Sequence, residues 1–469
     1  MSNDTYDLEV LQNGSLASLA LTKFKLTPTP SLTVFPDEIF SFSPSLTHLD
    51  LSGTGLSSLP SNFGTSLPNL KILFLSNCGF TTFPDLSPCP SLEMVAFRHN
   101  SMTTIPEGTF PTKLRWLILT DNKITSFPST IGNCPNLEKC MLAGNNLSIL
   151  PDSLTKCQDL TLLRLSANNF PSLPKFLFTA FPKLCYLSFG GNPCSESSRK
   201  KHKLPFGLLD IPYTTLTISR TLGQGASGII SQASWKQSPE SDYTEDVAVK
   251  MFKGALTSDG RPEDEMEAVL LAGSHESLIS VLGKVTDYHH DEEVKGGIVM
   301  QLIPDTYKVL GFPPDLDSCT RDRFTEEHKG WEMGKAVEML TGIAGAAAHL
   351  HERRINHGDL YAHNILASKG DAHGLLGDFG AGSIYGEEED GVERLEVAAF
   401  GRLVGDVLGL VGEDDEGEEG KMMRRGLEDL QRRCENGVVG ERPDFEEVVE
   451  GLRGMLGWRG MMRIPEVPN

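Results

Sequence analysis

The sequence contains no run of about 18 consecutive apolar residues and no Cys-x-x-Cys pair. The first absence argues against a membrane-spanning helix, and the second argues against the commonest zinc-binding pattern. The opening stretch, MSNDTYDLEV, also lacks the basic and apolar regions of a secretory signal peptide. We therefore expect a soluble, cytoplasmic protein.

Positive charge is scarce. There are 42 Lys and Arg residues against 63 Asp and Glu, which gives a formal net charge of -21. We therefore expect no nucleic-acid partner, because a protein that binds the phosphate backbone needs a positively charged surface. Three of the nine cysteines, Cys89, Cys134 and Cys157, each stand three residues before a recurring leucine. We interpret them as buried thiols rather than as disulfides, since the compartment is expected to be reducing.

A chain of 469 residues is long enough for two domains. From Leu46 onward, similar segments recur every 22 to 24 residues. They read LTHLDLSGTGLSSLP, LKILFLSNCGFTTFP, LEMVAFRHNSMTTIP, LRWLILTDNKITSFP, LEKCMLAGNNLSILP, LTLLRLSANNFPSLP and LCYLSFGGNP. The shared pattern, LxxLxLxxNxLxxLP, resembles that of leucine-rich repeats, which form a solenoid with one short strand per repeat.

Side chains alternate along a strand, so two positions of each repeat are expected on the concave face. The apolar residues at those positions suggest a surface that binds a protein partner, although the second domain could cover it instead. We assign the surface to Phe74, Trp116, Ile118, Met141 and Tyr186, together with Ile72, Met94 and Leu162.

The stretch SESSRKKHK has no apolar residue. We place the domain boundary there, with repeats over residues 1–194, a linker over 195–214, a second domain over 215–459 and a tail over 460–469.

The second domain opens with TLTISRTLGQGASGII, in which Gly223, Gly225 and Gly228 form GxGxxG. A dinucleotide-binding fold shares this pattern but continues into a helix, whereas here a second strand-like stretch and then VAVK follow. Strand, glycine turn, strand and Lys250 together resemble the hairpin that covers ATP in protein kinases. The fold class is therefore α/β: a leucine-rich repeat solenoid followed by an α+β, bilobal protein kinase-like domain.

The resemblance implies ATP and Mg²⁺ as cofactors and assigns roles in nucleotide binding. Lys250 would contact the phosphates, and its helix partner would be Glu267, with Glu265 as a rival. Met300 would stand at the back of the adenine pocket, before a hinge at Gln301 and Ile303. The remaining nucleotide contacts would be Leu222, Ile230 and Ala248 with the three glycines.

The stretch HGDLYAHNIL resembles the catalytic loop of the same family, and GDFG follows it. By this resemblance Asp359 accepts the proton of the attacking hydroxyl, while Asn364 and Asp378 hold magnesium. Two positions depart from the family pattern. Gly358 replaces an arginine that receives an activation-segment phosphate, and Tyr361 replaces a lysine near the transferred phosphate.

Only 18 residues separate Asp378 from Glu396, where the helix after the activation segment is expected. No Ala-Pro-Glu motif lies between them, so the docking of a peptide substrate is open. Arg442, in ERPDF, resembles the arginine that pairs with the glutamate of that motif.

We interpret the chain as a protein kinase, with Ser or Thr as acceptor, whose repeats recruit a protein partner. Two alternatives stay open: a pseudokinase scaffold and a small-molecule kinase.

Overall fold

The computed structural model describes residues 5–16, 18–205, 207–238, 240, 243–288, 294–412 and 417–461, with side chains up to residue 457. The chain divides into two compact units, Met1–Leu184 and Cys185–Asn469. The predicted tail, residues 460–469, lies almost entirely outside the described residues.

The first unit contains a parallel sheet with one strand per repeat. Neighbouring strands pair in chain order, so that Leu49 faces Leu73 and Leu73 faces Val95. The strands are β1 (Thr5–Tyr6), β2 (Lys23–Leu26), β3 (His48–Asp50), β4 (Ile72–Phe74), β5 (Met94–Ala96), β6 (Trp116–Ile118), β7 (Lys139–Met141) and β8 (Leu162–Arg164). The segments that return to the next strand carry helices α1 (Leu8–Gln12) and α2 (Phe63–Ser66) and short 3₁₀ turns. This architecture confirms the predicted leucine-rich repeats.

A buried asparagine in each central repeat links neighbouring turns of the chain. The side chain of Asn145 donates hydrogen bonds to the carbonyls of Leu142 (3.0 Å) and Leu119 (2.9 Å) and accepts one from the N–H of Ile124 (3.0 Å). Equivalent bonds are made by Asn100, Asn122 and Asn168. Because buried backbone groups need partners, these amides stabilise each bend.

The cysteines match the prediction of buried thiols. All nine are free, and eight of them are buried. Burial raises the pKa of Cys134 to about 11 and, with a smaller contribution from Asp85, that of Cys89 to about 12. Such thiols stay protonated at neutral pH and act as small apolar side chains.

The second unit begins earlier than predicted, at Cys185. The expected linker contains regular structure, with β9 (Tyr186–Ser188), α3 (Pro193–Arg199) and β10 (Leu209–Pro212) close to or inside it. Helix α3 buries only small side chains, Cys194 at 7%, Ser195 at 5% and Ser198 at 7% exposure, and no large apolar one. A search for apolar residues therefore misses this helix.

A six-stranded sheet forms the first lobe of the second unit. The strand order is β10-β14-β15-β13-β12-β11, with α4 (Pro262–Ala272) packed on one face. The ranges are β11 (Leu216–Gly225), β12 (Gly228–Trp235), β13 (Glu245–Lys253), β14 (Val281–Thr286) and β15 (Val294–Gln301). Along β13, Val247 and Val249 enter one core cluster while Ala248 and Phe252 enter the other. Lys250 shares the face of Ala248 and Phe252 because side chains alternate.

The second lobe is mainly helical. Its helices are α5 (Met333–Glu352), α6 (Val392–Leu408), α7 (Glu418–Cys434) and α8 (Phe445–Met461), and its short strands are β16 (Lys308–Val309), β17 (Ile355–Asn356), β18 (Ile365–Ser368), β19 (His373–Leu376) and β20 (Ser383–Ile384). The predicted bilobal α+β arrangement is thus confirmed. None of the helices in the described ranges is long and apolar enough to cross a membrane.

We expect Asn145→Ala to lower the free energy of unfolding of the repeat unit by about 2 to 3 kcal/mol, since buried backbone groups lose their partners. Circular dichroism during urea unfolding measures the change. Asn146→Ala is the matched control, because Asn146 is the next residue along the chain and its side chain is exposed. Equal effects of the two substitutions would contradict the role given to the buried amide.

Candidate active site

The glycine-rich stretch forms a hairpin between β11 and β12, in which Gly225 faces Gly228. Gly228 has φ +158°, and a Cβ there would stand 2.1 Å from the carbonyl oxygen of Met251. Only glycine fits that position. At Gly223 and Gly225 an added Cβ would meet no protein atom within 4 Å, so a ligand can approach their backbone closely.

Lys250 reaches from β13 to Glu265 on α4. The Nζ of Lys250 bonds the Oε1 of Glu265, and the two side chains are 12% and 2% exposed. The sequence-based choice of Glu267 is therefore corrected: that carboxylate bonds Arg199. Glu265 lies on the buried helix stripe of Ala268 and Ala272, three and seven residues further on, whereas Glu267 lies on a more exposed stripe.

Burial raises the pKa of Glu265, the charge of Lys250 lowers it, and the charge of Asp378 raises it again; the net direction is upward. Lys250 and Asp378 also line the same cavity, of about 310 Å³, together with the three glycines of the hairpin.

The hinge positions lie at the end of β15. Met300 is buried against Ala248 and Phe252, with Ile230 packed on the same cluster. Gln301 is exposed and donates its N–H to the carbonyl of Ser280 at 3.0 Å. Leu222, on the glycine hairpin, is 41% exposed. Ile303 follows in the segment that leads to the second lobe.

The catalytic loop holds Asp359 and Asn364 in contact. The Nδ2 of Asn364 donates to the carbonyl of Asp359 at 2.8 Å and to its Oδ2 at 3.0 Å. Asp378 adopts a left-handed backbone, with φ +54°, and accepts the N–H of Gly380 at 3.2 Å. Phe379 is buried and packs on His357, their ring centroids 4.9 Å apart. Asp359 is half-buried and Asp378 is exposed, so both carboxylates can be reached.

A buried carboxylate on α6 holds the start of this loop. Glu396 accepts the N–H of Gly358 at 2.5 Å and that of His357 at 3.1 Å, and its Oε2 lies 2.8 Å from the Nε2 of His351. Burial is the largest single influence on Glu396 and would raise its pKa, but the hydrogen bond and charge of His351, with the contacts of His357 and Gly358, together lower the pKa. The group therefore stays ionised at neutral pH.

The two departures from the family pattern have structural reasons. Gly358 has φ +73°, and a Cβ there would lie 2.6 Å from the carbonyl oxygen of Leu187. No side chain fits at this position. Tyr361 is buried and stacks on Tyr186, with ring centroids 3.8 Å apart.

The segment after Asp378 is short and ordered. Strand β20 pairs with β17, so that Ser383 faces Asn356. The glutamate of an Ala-Pro-Glu motif, which pairs with the arginine that Arg442 resembles, is absent from this segment. Arg442 instead donates hydrogen bonds to the backbone carbonyls of Asn436 (2.8 Å) and Arg394 (3.1 Å).

Comparison with known families assigns both halves of the chain. Residues 216–396 match the model of protein tyrosine and serine/threonine kinases, while residues 44–88 and 112–170 match models of leucine-rich repeats. The chain combines leucine-rich repeats with a protein kinase domain.

The chain is also similar to curated receptors. It is 36% identical over 126 residues to leucine-rich repeat-containing G-protein coupled receptor 5 of Rattus norvegicus, which is 26% of this chain and 14% of that protein. The receptor of the same name from Xenopus tropicalis is 38% identical over 85 residues, 18% of this chain and 9% of that protein. The chain thus spans less than a sixth of the length of either relative.

A second, larger cavity of about 730 Å³ lies elsewhere in the kinase domain, with Lys308, Trp331 and Lys369 among its lining residues. None of the four predicted catalytic residues lines it. The smaller cavity is the better candidate for the phosphates, because Lys250 and Asp378 provide the charges that a nucleotide with Mg²⁺ requires.

The sequence analysis did not assign Asn356 or Ser383 to the site. It named Glu396 but not the role of that residue in anchoring the catalytic loop. The sequence pattern pointed to Glu396, because it was expected to open the helix after the activation segment. That expectation is corrected by the structure, in which α6 begins at Val392 and Glu396 is its fifth residue. The other two act through contacts with the backbone of residues 187–190. Such contacts leave no motif in the sequence.

The predicted partner surface is only partly available. Phe74, Trp116 and Ile118 are half-buried, and the Nζ of Lys139 lies 4.1 Å from the ring centroid of Trp116. Met141 is 9% exposed. The prediction that Tyr186 belongs to this surface is wrong, because its side chain is 2% exposed and stacks on Tyr361 of the kinase domain.

We expect Glu265→Gln to weaken ATP binding about tenfold, because the substitution removes a charge-assisted contact that orients Lys250. Isothermal titration with ATP and Mg²⁺ measures the dissociation constant. Glu276→Gln, an exposed position just beyond α4, is the control. An unchanged dissociation constant for the Glu265 variant would show that the pair does not position Lys250.

Proposed function

We propose that the kinase domain is catalytically competent and transfers the γ-phosphoryl group of ATP to a protein hydroxyl, with Ser or Thr as acceptor. The observation that carries the proposal is the buried Lys250–Glu265 pair, since Lys250 lines one cavity together with Asp378. Keeping a buried ion pair is costly unless its geometry is satisfied. A lysine that lines the same cavity as an acidic side chain fits the arrangement that phosphoryl transfer needs.

In the proposed reaction, the acceptor oxygen forms a bond to the γ-phosphorus while the bond to the ADP oxygen breaks. Asp359 takes the proton of the acceptor hydroxyl. Lys250 offsets charge on the phosphates, and the backbone of Gly223 and Gly225 leaves space for them.

The side chains of Asn364 and Asp378 offer oxygen atoms, which are the ligands that magnesium prefers. Among the described residues, no group of three or more His, Cys, Asp or Glu side chains could hold a metal. Magnesium in kinases is instead bound by one or two side chains together with phosphate oxygens. Asn364 and Asp378 would hold it here, and the ion would neutralise charge on the phosphates.

A scaffold that binds nucleotide without transferring phosphate is the second candidate. The short segment between Asp378 and the start of α6 at Val392 favours it, because little chain is left for docking a peptide. A small-molecule kinase would also need no peptide-docking segment. One transfer experiment with several acceptors separates the three functions.

We expect the wild-type chain to transfer label from γ-labelled ATP to proteins in the presence of Mg²⁺, and Asp359→Asn to lower the rate at least about a hundredfold, since the base is lost. Phosphoamino-acid analysis identifies the acceptor. Asp429→Asn, on the exposed side of α7, is the matched control and should transfer at the wild-type rate.

Label on a sugar or other small hydroxyl compound, and on no protein, would favour the small-molecule kinase. Absence of label with ATP still bound would favour the scaffold.

The repeats are proposed to recruit a protein partner through Phe74, Trp116 and Ile118. Aromatic residues at the centre of a contact surface often dominate binding energy. Their half-buried state leaves part of each side chain available.

We expect the double variant Phe74→Ala, Trp116→Ala to bind such a partner at least about tenfold more weakly. Quantitative co-purification with the wild type, followed by a binding titration, measures the loss. Val34→Ala and Ile149→Ala, at residues 75% and 71% exposed, form the control. Equal retention of the partner by both double variants would argue against this surface.

A further inference from the structure

The segment Cys185–Arg199, here called the closing segment, ends the repeat motif in the sequence but belongs to the compact unit of the kinase domain. Its backbone is hydrogen-bonded to both loops of the candidate active site. The Nδ2 of Asn356, just before the catalytic loop, donates to the carbonyl of Leu187 at 2.7 Å. The Oγ of Ser383, in the activation segment, accepts the N–H groups of Phe189 (2.8 Å) and Gly190 (3.0 Å).

These contacts are close enough to restrict the residues around them. A Cβ at Gly358 would lie 2.6 Å from the carbonyl oxygen of Leu187, and one at Gly190 would lie 3.0 Å from that of Gly382. The Tyr186 ring covers Tyr361, two residues after Asp359. The closing segment therefore occupies, together with the carbonyl of Ala381 in the activation segment, the space that a side chain at position 358 would need.

The same segment reaches the helix that carries the partner of Lys250. Arg199, at the end of α3, forms ion pairs with Glu267 on α4 and with Glu196 at 3.0 Å. The hydrogen bond to Glu267 is the main reason that the pKa of Arg199 is raised. Glu267 is two residues from Glu265, so this contact joins α3 to the helix that carries the partner of Lys250.

We propose that the closing segment is a built-in activating element, which positions α4 and the activation segment for phosphoryl transfer without phosphorylation. Arg199, Asn356 and Ser383 are its positioning residues. The element takes over the task that, by family resemblance, falls to an activation-segment phosphate bound by an arginine at position 358. The proposal rests on the proposed kinase function.

Its consequence is that the kinase domain carries its activating contacts from the moment it folds. Removal of phosphate should then leave the transfer rate unchanged. Loss of the Arg199–Glu267 contact should lower the rate, because α4 is no longer held in position.

The test uses the full chain and a charge swap. We expect Arg199→Glu to lower kcat about fivefold or more, and Glu267→Arg to do the same. The double variant Arg199→Glu, Glu267→Arg should recover most of the loss, because the pair is restored with opposite polarity. Lys201→Glu, an exposed charge reversal two residues beyond α3, is the matched control.

Hydrogen exchange provides a readout that does not depend on activity. Amides of residues 262–272 should exchange faster in Arg199→Glu than in the wild type, and the double variant should restore the protection. Recovery by the swap would not occur if the single substitutions merely destabilised the fold.

Three results would overturn the proposal: an unchanged kcat in Arg199→Glu, no recovery in the double variant, or a loss of activity after phosphatase treatment of the wild type. Absence of transfer by the wild type would instead refute the proposed function. In that case unchanged exchange of α4 in Arg199→Glu would also refute the positioning by the closing segment.

Discussion

The buried carboxylate of Glu396 is the contact on which the geometry of the candidate active site depends. It is ionised and shielded from solvent, so its oxygens must be satisfied by the protein. Two backbone N–H groups of the catalytic loop and the ring of His351 do this. The same bonds fix the backbone that carries Asp359, and Asn364 then closes the loop onto it.

The catalytic loop that Glu396 fixes is also closely packed against the backbone of Leu187. The carbonyl of Leu187 approaches Gly358 so closely that no Cβ can be placed between them. The glycine that looks like a lost arginine is therefore a requirement of packing. Tyr361, another departure from the family pattern, is likewise occupied in a stack with Tyr186. The segment Cys185–Arg199 contributes to both departures, and at Gly358 the carbonyl of Ala381, 2.7 Å from a Cβ, excludes a side chain as well.

The contacts that define the structure differ between the two units: they are local and periodic in the repeats, and they join distant parts of the chain in the kinase domain. In the repeats, each asparagine bonds its own bend and the preceding repeat, so that Asn145 reaches back only to Leu119. The pattern is periodic and therefore visible along the chain. In the kinase domain, Lys250 and Asp378 come from separate parts of the chain and line one cavity because the fold brings β13 and the GDFG stretch together.

From the amino-acid sequence alone, the repeat period and the kinase motifs could be predicted, because each depends on local spacing. The candidate set of Lys250, Asp359, Asn364 and Asp378 came from the family resemblance that those motifs carry, and its roles stay a prediction. The choice between Glu265 and Glu267 could not be predicted, since two residues on one helix differ only in the face that packing buries. The limits of the kinase unit and the removal of Tyr186 from the partner surface also required the tertiary structure. The domain limit and the burial of Tyr186 both depend on which backbone segments contact each other. Contacts between backbone groups that are distant in the chain require no particular side chain, except for a glycine where the two backbones approach closely, so they leave almost no sequence pattern.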